Sequence, residues 1–233
     1  MSVAIRVLSA GAVKTGVRAA AEAFQAQGKG SVELRFATAP TIRGEIAAGA
    51  LAADVLVAPP GAMNEAAKLA RIDDSTRVML GRVGAGIAVR TGGRVPDISS
   101  VETLKQALGA ADSIAFNKAS TGIYIESLFE KLGLVEALAA KIRRQDNGAG
   151  VMNHLLHHSS YDIGFGAITE IIVFTDKGVQ LVGPLPDEIQ NYTRYEAAVV
   201  KPLQHAEAAT AYVSFLRSEQ GTRLLADCGI EAA

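Results

Sequence analysis

The sequence has few of the residue types that build disulfide-bonded or metal-bound frameworks. Its 233 residues include no tryptophan, one cysteine (Cys228) and only 5% aromatic residues. A single cysteine cannot form an internal disulfide, and no set of several Cys and His residues has the fixed spacing of a zinc site. We therefore predict that Cys228 is a small packed residue and that the chain uses no metal and no cofactor. The low aromatic content argues against a sugar site, in which rings stack on the ligand.

The chain also lacks a strong charge of either sign and any long apolar run. It carries 23 Lys and Arg against 24 Asp and Glu, a formal net charge of -1. No basic run with interleaved aromatic residues occurs, so we predict no nucleic-acid partner. No apolar stretch reaches the ~18 residues that a membrane span needs, so we predict no membrane insertion.

The first residues, MSVAIRVLSAGAV, have the pattern of a strand, and no signal-peptide pattern precedes them. We therefore expect a cytoplasmic location for the chain as given. If the chain is a processed form whose signal has been removed, the expected location is periplasmic.

Short apolar runs alternate with helical patterns, which is typical of an α/β fold. The first part has a strand over 3–9, a helix in VKTGVRAAAEAF, a strand in VELRFAT, a helix over 41–48 and a strand in ADVLVAPP. This βαβαβ order predicts a parallel sheet with crossover helices. Later in the chain the pattern predicts strands over 82–90, 113–116, 161–166 and 179–182, and helices over 101–108, 122–132, 151–158, 206–216 and 218–228.

Two βα modules without a low-complexity linker predict two lobes that share a cleft. In such folds, strand carboxyl ends and helix N-termini face the cleft. Unpaired N–H groups and the positive end of the helix dipole then favour a negative ligand.

Polar residues occupy two such strand-to-helix junctions in the second module. The segment Lys118–Gly122 follows the strand that ends near Asn117. One interpretation is that Ser120 or Thr121 only caps the helix. The other is that the segment also holds an anion. A second candidate anion nest is the Asn147–Gly150 segment. The predicted ligand-binding residues here are Asn117, Ser120, Thr121, Gly122, Asn147, Gly148 and Gly150.

The first module offers a second set of candidates. Gly11 after the first strand permits close approach of a ligand to the backbone, although a tight βα turn explains it equally well. A hydroxyl near this turn, or at the start of the next helix, can bond an anion. The predicted ligand-binding residues here are Ser9, Gly11, Ala12, Thr38 and Thr41.

Several segments, in their order and spacing, resemble one family. They are VLSAGAVKTGVRAAAEAF, PTIRGEIAAGALAADVLVAPPGAMNEA, STGIYIESLFEKLGL, YDIGFGAITE and the tail that begins with YEAAVVK. The chain resembles the molybdate-binding substrate proteins of ABC importers over nearly its whole length. The resemblance implies a two-lobed type II periplasmic-binding fold, each lobe a mostly parallel sheet flanked by helices. Lobe one would be 1–84 plus 198–233, and lobe two 85–197.

The chain departs from that family at a position that matters for the ligand. The molybdate binders use a serine hydroxyl just after the first strand, about where this chain has Ala12, and another before the second helix, near Thr38. A buried tetrahedral oxyanion needs hydrogen bonds to its oxygens. Loss of one donor predicts affinity weaker on the order of a hundredfold, which disfavours molybdate.

The sequence leaves two main functional classes open. In the first, the protein binds a small anion, an oxyanion or a small carboxylate, in the cleft between the lobes, and an ABC importer permease is its partner if it is exported. In the second, it is a cytoplasmic isomerase of a small polycarboxylate, because some proteins similar to the molybdate binders are aconitate isomerases. A third hypothesis is that the protein is a cytosolic sensor of a small anion.

The enzyme reading needs a base, and the sequence offers Lys14, Tyr124 and His154. His154 and His158 have the i, i+4 spacing of a metal-binding helix face. They lack a carboxylate partner in a recognisable motif, so we predict that they are solvated helix residues.

Overall fold

The computed structural model describes residues 4–158, 161–202 and 205–233. The chain forms two compact units: unit 1 comprises Met1–Val83 and Arg194–Ala233, and unit 2 comprises Gly84–Thr193. The strands and helices, in chain order, are β1 (Ala4–Ala10), α1 (Lys14–Ala26), β2 (Ser31–Ala37), α2 (Ala39–Ala48), β3 (Val55–Ala58), α3 (Pro60–Lys68), β4 (Ile72–Arg90), α4 (Val101–Ala110), β5 (Ser113–Asn117), α5 (Ser120–Lys131), α6 (Val135–Leu138), β6 (Ile142–Gln145), α7 (Gly148–His157), β7 (Asp162–Ala167), α8 (Ile168–Ile172), β8 (Val179–Pro184), β9 (Tyr192–Val200), α9 (Ala206–Arg217) and α10 (Glu219–Asp227).

Unit 1 is built on a sheet in the order β2-β1-β3-β9. Strand β1 runs parallel to β2 and β3, and β9 pairs with β3 in the antiparallel sense. Helix α1 buries Val17, Ala20 and Phe24, the apolar positions that predict this helix. The Phe24 ring packs edge-on against Tyr212 and Phe215 of α9, at centroid distances of 5.3 and 5.5 Å.

Unit 2 is built on a sheet in the order β8-β4-β7-β5-β6. Strand β5 is parallel to β6 and β7, and β4 is antiparallel to β7 and β8. Successive strand residues face opposite sides. Phe116 therefore packs with Phe129 of α5, whereas Ala115 packs with Leu155 of α7. Helices α5 and α7 thus cover opposite faces of one sheet.

Several element limits differ from those predicted. Helix α3 was not predicted, because Pro59 and Pro60 read as the end of a strand; Pro60 instead starts the helix, where a fixed φ and a missing N–H are tolerated. Strand β4 begins at Ile72 rather than 82. The residues DDSTR after Ile72 are all polar, so no apolar strand pattern marks this part of the sequence. Helices α2, α5 and α7 each begin two or three residues before the predicted start.

Within the described ranges, no helix has both the length and the apolar character needed to cross a membrane. The predicted lobe limits, 1–84 plus 198–233 and 85–197, stay a prediction.

Candidate functional site

Three neighbouring strands of unit 2 end along one edge of its sheet. Strand β5 pairs in parallel with both β6 and β7, and Asn117, its last residue, is opposite Gln145, the last residue of β6. From these ends the chain enters α5, α7 and α8, so the helix N-termini line the same edge. We call residues 117–122, 145–150 and 167–170 the polar edge.

The first turn of α5 is capped by Asn117 rather than by Ser120 or Thr121, which corrects the predicted cap. The Asn117 side chain is 2% exposed. Its Oδ1 accepts hydrogen bonds from the backbone N–H groups of Ala119, at 2.9 Å, and Gly122, at 3.2 Å. Ala119 is the N-cap residue and makes no side-chain cap bond. This arrangement uses two of the four N–H groups that a helix start leaves unpaired.

The other two N–H groups belong to Ser120 and Thr121. Among the described residues, neither these amides nor the two hydroxyl groups take part in a hydrogen bond. Thr121 is nevertheless only 8% exposed. The first turn of α5 contains no acidic residue, so nothing in that turn offsets the positive end of the helix dipole. A negative group at this point meets up to four hydrogen-bond donors.

Gly122 sets the position of this helix start. A Cβ atom at residue 122 would lie 1.7 Å from the Asn117 carbonyl oxygen and 2.8 Å from its Oδ1. The first turn of α5 therefore rests directly on the end of β5, and no side chain fits between them.

The start of α7 differs from that of α5 in charge. Asn147 is its N-cap, and the Asn147 Oδ1 accepts from the Gly150 N–H at 2.9 Å. Opposite Gly148 lies a carboxylate: a Cβ atom there would be 2.3 Å from Oε2 of Glu170. The predicted anion nest at 147–150 thus faces an internal negative group.

Glu170 is the group on the polar edge that sequence reasoning missed. It follows β7 by three residues and lies in YDIGFGAITE, one of the segments that resemble the molybdate-binding family. Its contact with Gly148 depends on tertiary structure. The one sequence signal for a place at the site is its position just after a parallel strand.

Lys118 is tied to a carboxylate on the neighbouring loop. Its Nζ lies 2.8 Å from Oδ1 of Asp146, and its backbone N–H donates to the Gln145 carbonyl at 3.0 Å. The lysine, by hydrogen bonding and charge, lowers the pKa of the Asp146 carboxyl. The Lys118 charge is therefore largely matched within the protein.

The unit 1 candidates lie close to one another. Strands β1 and β2 end in register, Ala10 opposite Ala37, so the turn that begins with Gly11 and Ala12 leaves the sheet beside Thr38. Thr38 caps α2, and its Oγ1 lies 2.9 Å from that of Thr41. The Ser9 hydroxyl is buried and donates to the Ala10 carbonyl at 3.2 Å. A ligand role for these residues stays a prediction.

The three predicted bases have different surroundings. Lys14 is half-buried at the start of α1 in unit 1. The Tyr124 hydroxyl donates to the Ile189 carbonyl at 2.6 Å, and burial raises its pKa. His154 is 7% exposed, so the prediction that it is solvated is wrong.

His154 belongs to a buried network at the opposite edge of the unit 2 sheet, where β5 and β7 begin. The Ser113 hydroxyl donates to Oδ1 of Asp162 at 2.7 Å. Because that hydroxyl has one hydrogen, the His154 Nε2–H donates to Ser113 Oγ, also at 2.7 Å. Burial, reinforced by the nearby charge of His158 and opposed by Asp162, lowers the pKa of His154. The network pins α7 to two strands and lies away from the polar edge.

Acidification should weaken the fold through His154. Its pKa is depressed in the folded chain, so below its ordinary value of about 6.5 the unfolded chain binds the proton more readily. We expect the free energy of unfolding to fall as the pH drops from about 8 to about 5.5, by at most about 1.4 kcal/mol per pH unit for this group. Urea titrations of the wild type and His154→Gln at several pH values measure the slope.

His157→Gln is the control for this experiment, because His157 is exposed on the same helix. The pH slope should shrink in the His154 variant and persist in the His157 variant. Equal slopes in all three proteins would exclude His154 as its source.

Comparisons with known proteins cover nearly the whole chain. The sequence model of a family described as bacterial extracellular solute-binding protein matches residues 5–231. An aconitate isomerase from Pseudomonas sp is 30% identical over 235 residues, which span 97% of this chain and 87% of that protein.

Solved structures show the fold. The periplasmic molybdate-binding protein of Azotobacter vinelandii superposes with a TM-score of 0.79 at 14% identity, over 98% of this chain and 99% of that one. The sulfate-binding protein SubI of Mycobacterium tuberculosis H37Rv gives 0.77 at 19% identity, over 97% and 85%. The type II periplasmic-binding fold that the sequence predicts is confirmed.

Proposed function

The chain belongs to the family of bacterial extracellular solute-binding proteins, and on that premise we propose that its polar edge binds a small anion. One observation carries the proposal. The Thr121 side chain is 8% exposed, and among the described residues its hydroxyl has no hydrogen-bond partner. The hydroxyl oxygen is not among the fully buried unpaired atoms of the described residues, so it stays accessible to a ligand although most of the side chain is covered. An anion bound to this hydroxyl and to the amides of Ser120 and Thr121 would satisfy it.

A small carboxylate fits this start of α5 better than a tetrahedral oxyanion. The two oxygens of a carboxylate lie in one plane, and both can accept hydrogen bonds from adjacent amides. The four oxygens of a buried tetrahedral oxyanion point in different directions and need donors on several sides. Ile123 follows Ser120 by three residues, which puts both on one face of α5. It is 53% exposed, so a ligand with a carbon skeleton would meet an apolar surface beside Ser120. The aconitate isomerase relative acts on such a compound.

A ligand screen tests this function. We expect a rise in the melting temperature with citrate, cis-aconitate or trans-aconitate, and little change with molybdate, tungstate, sulfate or phosphate. A ligand present at about 100 times its Kd stabilises the folded state by about 2.7 kcal/mol, which a thermal-shift assay resolves. Stabilisation by molybdate or sulfate alone would replace the carboxylate with an oxyanion, and no stabilisation by any of these anions would contradict the proposal.

The second candidate function is isomerisation of a small polycarboxylate. Identity of 30% along 97% of the chain to an aconitate isomerase favours it. An allylic proton shift needs one base and donors for the negative charge that develops on the substrate carboxylate. The amides at the start of α5 suit the second need. Conversion of trans-aconitate into cis-aconitate, followed by proton NMR, tests this function separately from binding.

We propose further that the chain divides at the predicted lobe limits and that the unit 1 candidates contribute to anion binding. Variants at Thr38 and Thr41 test the second proposal separately, through their effect on ligand affinity. An importer permease is the partner that the family implies for an exported form.

A further inference from the structure

Glu170 places a carboxylate on the polar edge, where we propose that an anion binds. Glu170 lies against Gly148, the first residue of α7, so closely that a Cβ atom there would approach Oε2 to 2.3 Å. Like charges close together in a partly desolvated site repel, which weakens binding of the ligand. The positive end of the α7 dipole favours a carboxylate here, and the same placement holds a negative oxygen on the edge that the ligand is proposed to occupy.

We propose that Glu170 is the group that takes and returns the proton in the isomerisation of a small tricarboxylate. This inference rests on the second candidate function and assigns its base.

The topology places Glu170 within reach of a ligand held at α5. Strand β5 lies between β6 and β7, and neighbouring strands run about 4.8 Å apart. Glu170 follows the end of β7, Thr121 follows the end of β5, and Gly148 follows the end of β6. A tricarboxylate is long enough to extend from the α5 amides toward the Glu170 carboxylate.

Other groups of unit 2 suit the task less well. His154 lies where β5 and β7 begin, at the opposite edge of the sheet. The Tyr124 hydroxyl donates to the Ile189 carbonyl. The Asp146 and Glu126 side chains are 86% and 57% exposed, so water screens both carboxylates.

The proposed step is balanced without a cofactor. A Glu170 oxygen forms a bond to a proton of the substrate methylene, and the C–H electron pair becomes part of a new C=C bond. The electrons of the former C=C bond move toward a substrate carboxylate, whose growing negative charge the Ser120 and Thr121 amides stabilise. Protonated Glu170 then gives the proton to the former vinyl carbon. The double bond has moved by one position, and Glu170 is again a carboxylate.

Glu170→Gln tests the inference, because it keeps the side-chain size and removes the basic oxygen. We expect kcat for trans-aconitate to fall about 10²- to 10⁴-fold. The Kd, measured by calorimetry, should stay the same or decrease, because a repelling charge is gone. Deuterium uptake at the methylene in D₂O should fall together with kcat. Glu126→Gln, the same change at an exposed glutamate of the same unit, should leave all three quantities within about twofold of wild type.

Two more variants separate chemistry from folding. Glu170→Asp withdraws the carboxylate by one methylene and should keep part of the activity, with a pH–rate profile that still reports a carboxylate. Gly148→Ala should displace the carboxylate without removing it, and so lower kcat in a chain that still contains Glu170.

The possible results also distinguish the role of Glu170 from isomerisation and from anion binding. Wild-type kcat in Glu170→Gln, or loss of binding rather than of turnover, would overturn the role of Glu170 and leave the isomerase in place. A wild-type protein that binds tricarboxylates but neither isomerises them nor exchanges the methylene proton would overturn the enzyme and keep the binding protein. Absence of anion binding in the wild type would overturn both.

Discussion

Thr121→Glu should lower the affinity for tricarboxylates on the order of a hundredfold or more. The new carboxylate replaces the Thr121 hydroxyl and lies beside the two unpaired amides at the start of α5, where it would occupy the place of the ligand. Glu170 already shows such an arrangement at α7, with its Oε2 beside Gly148. Calorimetric titration of wild type and variant with trans-aconitate or citrate measures the loss.

Two further variants make this result specific. Thr121→Val removes only the hydroxyl and should weaken binding about five- to tenfold, the usual effect of one hydrogen bond. Val135→Glu adds the same charge at an exposed position of unit 2, where the native side chain is 47% exposed, and should bind as the wild type does. If Thr121→Glu also retained wild-type affinity, Thr121 would not belong to the site.

Gly122→Ala should destabilise unit 2 by on the order of 3 kcal/mol. The added methyl group would lie 1.7 Å from the Asn117 carbonyl oxygen, so the first turn of α5 must move off β5. That movement also strains the Asn117 bond to the residue 122 amide. Chemical denaturation measures the free-energy change, and the melting temperature should fall by roughly 6–12 °C.

Gly109→Ala is the matched control for this variant. Gly109 lies inside α4 of the same unit, and nothing comes within 4 Å of a Cβ atom at that position. Alanine there should raise stability by about 0.5–1 kcal/mol, because it restricts the unfolded chain and favours the helix. The two substitutions thus have opposite expected signs. A stability change within about 0.5 kcal/mol for Gly122→Ala would contradict the close contact between α5 and β5.

The sequence predicted the outline of the fold because its signals are local. Alternating apolar runs and helical periodicity mark the βα units, and hydroxyls and glycine mark the junction at 118–122. The capping by Asn117 was missed because the capping side chain lies before the helix and folds back across a turn, a geometry that a residue pattern does not record. The first half of β4 was missed because its polar run DDSTR lacks the apolar alternation that marks a strand.

The charges of the site depend on contacts between distant parts of the chain. Glu170 reaches Gly148 only because β6 and β7 flank the same strand. His154 and His158 were predicted to be solvated because no carboxylate partner accompanies them in a sequence motif, but Ser113 and Asp162 enclose His154 from two strands. Local periodicity identifies a helix, whereas the partners of its polar residues follow from strand order and register.

The most direct test of the central claim observes the two unpaired amides themselves. In a ¹H–¹⁵N correlation spectrum, addition of trans-aconitate should move the Ser120 and Thr121 amide protons strongly downfield, because each gains a charged acceptor. The amides of Ala119 and Gly122, already bonded to Asn117, should move much less. Saturated binding that leaves Ser120 and Thr121 unmoved would show that the anion is held elsewhere.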